Sequence, residues 1–323
     1  MKAIMAEKYG SPDVLRLIET EKPAPQENEI LIRIEATVAA QPDCAFREGK
    51  PLISRLFSGL LRPRKIPGDV FAGVVEAAGK GVKLYQKGDR VFGSSDDAFG
   101  TNAEYLTLPE DAGIALIPDG VSAEEAAAVC EGGLTALPFL RDSARLQKGQ
   151  RILVNGASGG VGVYAVQLAR HIGAKVTAVC SAANADLVRS LGADSVIDYT
   201  KQDFTESSER YDVILDAVAK STFARCRKVL APNGIYLVTI PTAGIMMNMM
   251  ISSLRHGQKA VFSATGLRKV PEKRRDLEYL GTLMTAGHLK AVVGRTFTLE
   301  HMADAHRYVE TGHKVGSAVV SVH

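Results

Sequence analysis

Between residues 151 and 170 an apolar run, Arg151-Ile-Leu-Val-Asn155, meets three glycines spaced GxxGxxG and then passes into the helical pattern Val163-Tyr-Ala-Val-Gln-Leu-Ala-Arg170. That order predicts a strand, a tight turn and a helix N-terminus. A helix start presents unpaired backbone N–H groups and a partial positive charge, and glycine has no Cβ to hold a pyrophosphate away from them. Gly156 is expected at the turn, Gly159 at the phosphate approach and Gly162 where helix packs on strand, with Ala157, Ser158, Gly160 and Val161 completing the loop. Alone, the triplet fits a merely structural turn equally well. No Lys-Ser or Lys-Thr follows Gly162, which disfavours a nucleoside-triphosphate loop.

The surroundings decide the matter. Lys175–Cys180 lies where a second strand belongs after one helical crossover, and helix-period Leu187, Val188 and Leu191 follow it. Further short apolar runs at Gly192–Asp198, Tyr211–Asp216 and Gly234–Ile240 alternate with helical patterns, the signature of a parallel sheet covered on both faces. The reading is a Rossmann, doubly wound dinucleotide-binding domain.

At 323 residues there is room for a second domain, and it must come largely before residue 151. Glu29-Ile-Leu-Ile-Arg-Ile-Glu35 alternates as a half-buried antiparallel strand does, and Asp69–Glu76, Asp89–Phe92 and Ala103–Leu108 are further short strands, together predicting a small barrel. After Ile240 come a Met-rich stretch, a strand at Lys259–Ser263, a helix around Asp276–Ala286 and a last strand, Gly316–Val322, expected to return to the barrel. The net charge of +3 gives no reason to expect a nucleic-acid partner. No apolar run reaches the ~20 residues that span a bilayer, and the N-terminus is charged too soon for a signal peptide. A cytoplasmic protein with no membrane partner is expected. The four cysteines, Cys44, Cys130, Cys180 and Cys226, are scattered without CxxC pairing and read as reduced, buried thiols.

Met1–Ile4, Pro67–Glu76, Gly88–Phe92, Gly133-Leu-Thr-Ala136, Asn155–Gly162, Leu191–Asp194 and Gly312–Gly316 together make the chain resemble the medium-chain dehydrogenase/reductase superfamily, in its zinc-independent, quinone oxidoreductase-like (zeta-crystallin-like) branch. The resemblance implies an α/β fold in two domains, a GroES-like β-barrel catalytic domain (1–119 and 264–323) and a Rossmann domain (120–263), with the active site in the cleft between them. Where zinc-bearing relatives place a Cys and a His, this chain has Gln41 and Asp69, and the four-cysteine structural zinc lobe is missing, so no zinc is expected. Without that Lewis acid, reduction of an electron-poor quinone or α,β-unsaturated carbonyl is the expected reaction, since it needs mainly a positioned hydride. Several relatives place a Tyr where this chain has Ala45, so no catalytic acid is assigned.

NAD-specific folds end the second strand in an acid; Cys180–Asn184 has none, which favours NADPH with NADH possible. Ser181 and Tyr199 match family positions that hold the 2′-phosphate, and Asn184 stands where a Lys is usual. Thr135 matches a residue near the nicotinamide, and Ile240, ending its strand, completes the cofactor set. The alternatives are an enoyl-thioester reductase, or an NADPH-binding interaction protein of low turnover.

Other features have plainer readings. Met246, Met247, Met249 and Met250 fit a buried or interface helix better than a pliable pocket, and Lys269, Lys273, Arg274 and Arg275 fit a solvated helix face. The segment Arg55–Lys65, with four cations among large apolar residues, fits a surface loop, though it would also meet a phosphate-bearing substrate such as a CoA thioester. Asp43 and Arg47 are expected to brace the barrel rather than touch substrate, and His171, His288 and His313 receive no role. A homodimer is expected, because in the family the strand at Lys259–Ser263 pairs with its symmetry mate and an apolar edge strand is a template for pairing.

Overall fold

The computed structural model describes every residue except Arg64, Thr242, Arg255 and His323, and every side chain of those but Phe57, Asp97 and Ala243. Arg64, one of the four cations of the 55–65 segment, thus lies outside the described residues. The chain divides into two compact units, Met1–Glu131 with Lys269–His323, and Gly132–Arg268.

In the first unit the strands are β1 (Lys2–Ala6), β2 (Leu15–Glu19), β3 (Glu29–Ala39), β4 (Val70–Ala78), β5 (Arg90–Ser94), β6 (Tyr105–Pro109) and β7 (Ile114–Leu116). The alternation in β3 is realised as written: Ile30, Ile32 and Ile34 are wholly buried, and Arg33 and Glu35 form an ion pair at 2.8 Å. β3 runs antiparallel to both β4 and β6. Its core partners are Phe71, Val75, Val91 and Val320.

The second unit holds β8 (Arg151–Asn155), β9 (Lys175–Cys180), β10 (Ser195–Asp198), β11 (Tyr211–Asp216), β12 (Leu230–Val238) and β13 (Lys259–Phe262). They form one parallel sheet in the order β10-β9-β8-β11-β12-β13. The chain then returns to the first unit as β14 (Val293–Thr298) and β15 (Ser317–Ser321); β15 pairs antiparallel with β3, Val319 opposite Val38. The last strand therefore goes where its sequence placed it, while β14 was not foreseen, because only Phe297 of its six residues is buried and no apolar alternation marks it.

The helices are α1 (Gln41–Glu48), α2 (Arg55–Ser58), α3 (Ala123–Pro138), α4 (Gly162–Ile172), α5 (Ala185–Ser190), α6 (Phe223–Cys226), α7 (Ala243–Ser253), α8 (Val270–Thr285) and α9 (Met302–Glu310). Two helical readings need correction. α8 starts six residues before the expected point, and only half of its basic run is solvated: Lys269 and Arg275 are exposed, but Lys273 is 5% exposed and paired with Asp96, and Arg274 donates to the carbonyls of Glu110 (2.7 Å) and Ala112 (3.1 Å). The Met-rich helix α7 is not buried as a whole, since Met246, Met247 and Met250 are each more than half exposed, although Met249 packs partly buried against the core; of the two readings the interface one stays open. Ser252 Oγ and Met249 Sδ on α7 accept the backbone N–H groups of Ala260 and Phe262, both at 3.1 Å. Two β13 donors that a symmetry mate would need are therefore already used within the chain.

Candidate functional site

In the second unit the strand order reverses between β8 and β11, which opens a crevice at their C-terminal ends, the ligand position of open α/β sheets. The loops after both strands meet there. Gly156 has φ +80°, and its N–H and that of Ala157 donate to the Val179 carbonyl at 3.1 and 3.0 Å. A Cβ on Gly156 would stand 2.5 Å from Val218 of the opposite loop, and one on Gly162 would stand 2.1 Å from the Gly156 carbonyl oxygen. Gly132 on α3, absent from the sequence reading, is the counterpart of these: its Cβ would lie 2.1 Å from the Gly160 oxygen and 2.2 Å from the Tyr164 ring. Gly159 differs. The nearest atom to its Cβ would be the Gly156 oxygen, 3.4 Å away, so the protein's own packing does not require glycine there.

α4 starts at Gly162 with Val161 as its N-cap and no side-chain cap; the Val163 N–H is taken by the Gly159 carbonyl (3.1 Å), and the positive end of the helix dipole faces the loop. An uncapped helix end beside Gly159, where nothing needs the missing side chain, fits the pyrophosphate of a dinucleotide. At the end of β9, the Asn184 amide donates to Ser158 Oγ at 3.1 Å and Ser181 Oγ at 3.4 Å. Each hydroxyl that accepts keeps its own proton to give outward, so Ser158, Ser181 and Asn184 form a neutral donor cluster suited to a ribose phosphate. Tyr199 follows β10 with its N–H on the Cys180 carbonyl (3.2 Å) and its phenol exposed.

The cluster has an acidic neighbour that lies outside residues 180–184. Asp198 ends β10 in register with Cys180, accepts from Thr200 Oγ1 (2.8 Å) and N–H (3.0 Å), and is held below the usual carboxylate range mainly by those bonds. Asp216 is a second missed residue. Wholly buried at the end of β11, it accepts from Asn155 Nδ2 (2.8 Å), Ser221 N–H (2.8 Å) and Tyr236 Oη (2.9 Å), tying β8, β11, β12 and the 217–221 loop together. Burial and this carboxylate push the Tyr236 phenol far above its ordinary value. Thr135 lies on α3 one turn beyond Gly132, and Ile240, partly exposed, follows the end of β12 beside Thr239, which bonds the Ala217 carbonyl (3.2 Å).

In the first unit α1 carries Asp43, 7% exposed, whose Oδ2 accepts the Ala40 N–H at 2.8 Å. Burial first, then the charges of Asp69 and Glu131, raise it to about 7, against the Ala40 bond and Lys314. Asp43 is therefore the residue of α1 able to hold and release a proton near neutrality, whereas Ala45 has nothing to give. Asp69 is also raised by burial and is bonded to Ser94 Oγ (2.6 Å) and the Asp96 N–H (2.9 Å). Arg47 is a brace, as expected: it is 2% exposed and pairs with Glu310 of α9. Cys44 Sγ lies 3.4 Å from His306 Nδ1; burial pushes the thiol up to about 12 and the imidazole down to about 3, so the pair is neutral. All four cysteines are free and buried, as their spacing suggested.

The donor set at the expected zinc position does not fit the metal. Gln41 is exposed, Asp69 is committed to Ser94 and Asp96, and among the described residues no three His, Cys, Asp or Glu side chains gather to hold an ion.

Family models match both parts of the chain, an alcohol dehydrogenase GroES-like domain over residues 26–138 and a zinc-binding dehydrogenase over 191–320. A chloroplastic quinone-oxidoreductase homolog from Spinacia oleracea is 32% identical over 99% of this chain and 98% of its own length. The 2-methylene-furan-3-one reductase of Solanum lycopersicum is 33% identical over 99% of this chain and 79% of its own. Among solved structures, the Escherichia coli quinone oxidoreductase complexed with NADPH superposes with a TM-score of 0.87 at 26% identity, covering 100% of both chains.

Proposed function

Since the chain belongs to the quinone oxidoreductase-like branch of the medium-chain dehydrogenase/reductase superfamily, we propose that this oxidoreductase uses NADPH to reduce a quinone or an α,β-unsaturated carbonyl. The observation that carries the reading is the open side of Gly159 at the uncapped start of α4, with the Ser158–Asn184–Ser181 donors at the end of β9. Gly156–Gly162 would hold the pyrophosphate, the neutral donors the ribose phosphate, and Thr135 and Ile240 the nicotinamide end. When bound, the cofactor supplies the hydride. The chain's part is to position both reactants and to exclude water.

Cofactor preference rests on donors that carry no formal charge, with Asp198 near them, so the reading is NADPH over NADH by a modest margin, with dual use. Zinc is not part of the proposal, because Asp69 is already bonded to Ser94 and Asp96 and, among the described residues, no three ligating side chains gather around an ion. A cytoplasmic homodimer remains part of the proposal, but its contact is more consistent with the exposed face of α7 than with backbone pairing of β13, whose Ala260 and Phe262 donors are used. Light scattering giving a monomer mass at micromolar concentration removes the dimer.

The test is a panel of simple quinones, enones and enoyl-CoA esters, followed by loss of reduced-nicotinamide absorbance. Turnover confined to thioesters converts the assignment to enoyl-thioester reductase. NADPH binding without turnover on any acceptor refutes the enzyme reading.

A further inference from the structure

The segment from Lys50 to Pro67 contains five cations and no carboxylate. Its polarity is turned inside out. Among its described side chains Ser54 and Ser58 are the buried ones, Ser54 Oγ reaching the Ala45 carbonyl (3.3 Å) and Ser58 Oγ the Ser54 carbonyl (3.2 Å), while Leu52, Ile53, Leu56, Leu60 and Leu61 are 72, 59, 67, 68 and 92% exposed. A loop free to choose its contacts would bury the leucines and expose the serines. This one is pinned in the opposite sense. Tyr9 Oη bonds Ser58 Oγ at 3.0 Å and the Gly59 carbonyl, the Arg55 guanidinium lies over the Tyr9 ring at 4.5 Å, and the Lys65 carbonyl accepts the Ala6 N–H at 2.9 Å.

We propose that this wedge docks on an anionic membrane surface, its five aliphatic side chains entering the headgroup and acyl boundary while Arg62 and Lys65 meet lipid phosphates. Among the described residues no carboxylate pairs with either cation, so both are available to an external anion. Exposed large apolar side chains beside cations on a rigid base form the composition of an interfacial anchor. Recognition by a protein is less well served. Interface hot spots favour Trp, Tyr and Arg in well-packed pockets, with leucine under-represented, and Leu61 stands out of the surface instead of lining a groove. The absence of any described helix long and apolar enough to cross a membrane bears on spanning, not on lying at the surface. The sequence expectation of no membrane partner considered spanning alone.

The test is co-sedimentation of the full chain with vesicles of phosphatidylcholine, with and without phosphatidylserine. Binding is expected only with the anionic lipid, and it should weaken as salt rises. Replacing Arg62 and Lys65 by Glu removes two surface cations at about five-fold each, so a loss of about twenty-five-fold or more is expected. Leu60→Ser with Leu61→Ser should lower binding at least ~10-fold through lost apolar burial. Unchanged melting temperature and NADPH affinity in both double variants would show that the fold is intact. Equal binding to neutral vesicles, no binding of wild type to either, or full binding by the leucine variant overturns the proposal. So does a fall in solution mass in the leucine variant without vesicles, which would assign the wedge to a second copy of the chain.

Discussion

Gly159 and Gly162 look alike in the GxxGxxG pattern, yet substituting alanine at each should give opposite failures. At Gly162 a methyl group would sit 2.1 Å from the Gly156 oxygen and 2.7 Å from Ala157 Cα, both backbone atoms of the loop, so helix and strand must move apart. Overpacking of that kind costs about 1–3 kcal/mol of stability. At Gly159 the nearest atom is 3.4 Å away, which is ordinary contact, and the fold should be unaffected. The methyl group instead occupies the approach of a pyrophosphate to the start of α4. Each charge-assisted hydrogen bond lost there is worth ~1.5–3 kcal/mol, so Gly159→Ala should weaken NADPH by roughly ten- to a hundred-fold per bond lost. Urea unfolding reads the first effect and fluorescence titration of NADPH the second. If Gly159→Ala binds NADPH like wild type, the phosphate does not approach that glycine, and the cofactor geometry drawn from the loop is wrong. If Gly162→Ala is as stable as wild type, the helix–strand packing argument fails instead.

Other predictions follow from the same arithmetic. Asn184→Lys should replace a neutral donor with a cation beside Ser158 and Ser181 and widen the NADPH-to-NADH affinity ratio about ten-fold, checked by titrating both cofactors. Asp43 holds its proton to about 7 when folded but releases it near its ordinary value when unfolded, so the folded state binds more protons across that window and wild-type stability falls as pH rises through it. Asp43→Asn lacks this loss and should gain on wild type by about 2–3 kcal/mol between roughly pH 5 and pH 7 in paired urea titrations; parallel curves for the two proteins would mean that Asp43 ionises as an ordinary carboxylate. Lys273→Met leaves Asp96 and its neighbour Asp69 without their buried cation and should cost about 3–5 kcal/mol, much of it recovered when Asp96 is also replaced by Asn.

How far the fold could be read from the chain depended on whether each element's pattern is local. β3 and the six strands of the parallel sheet carry their burial in their own composition, because a strand covered on one or both faces must alternate or run apolar. β14 does not: Val-Gly-Arg-Thr-Phe-Thr is ordered by pairing with β15, across residues that only the returning chain brings together. Lys273 and Arg274 misled for a related reason. Charge alone marks a solvated face, but a cation is buried when a carboxylate far away in sequence waits for it, and Asp96 lies 177 positions earlier.

The site divides along the same line, and the division says where this protein's chemistry is decided. The phosphate loop is contiguous, so its glycines were legible with their separate tasks, and only Gly132, which reaches the loop from another element, escaped. Asp198, Asp216 and the raised Asp43 were not legible, because each owes its character to neighbours on other strands and helices: Thr200 and the end of β9 for Asp198, three donors from three elements for Asp216, burial with Asp69 and Glu131 for Asp43. Dinucleotide binding is thus written locally, as backbone that admits a phosphate. The charge states of Asp198 and Asp43 are written in the packing, which holds the first ionised and suppresses the charge of the second. Substitutions confined to the glycine loop should change whether cofactor binds, whereas changes at Asp198 or Asp43 should change which cofactor is preferred or how the rate depends on pH while leaving the loop intact.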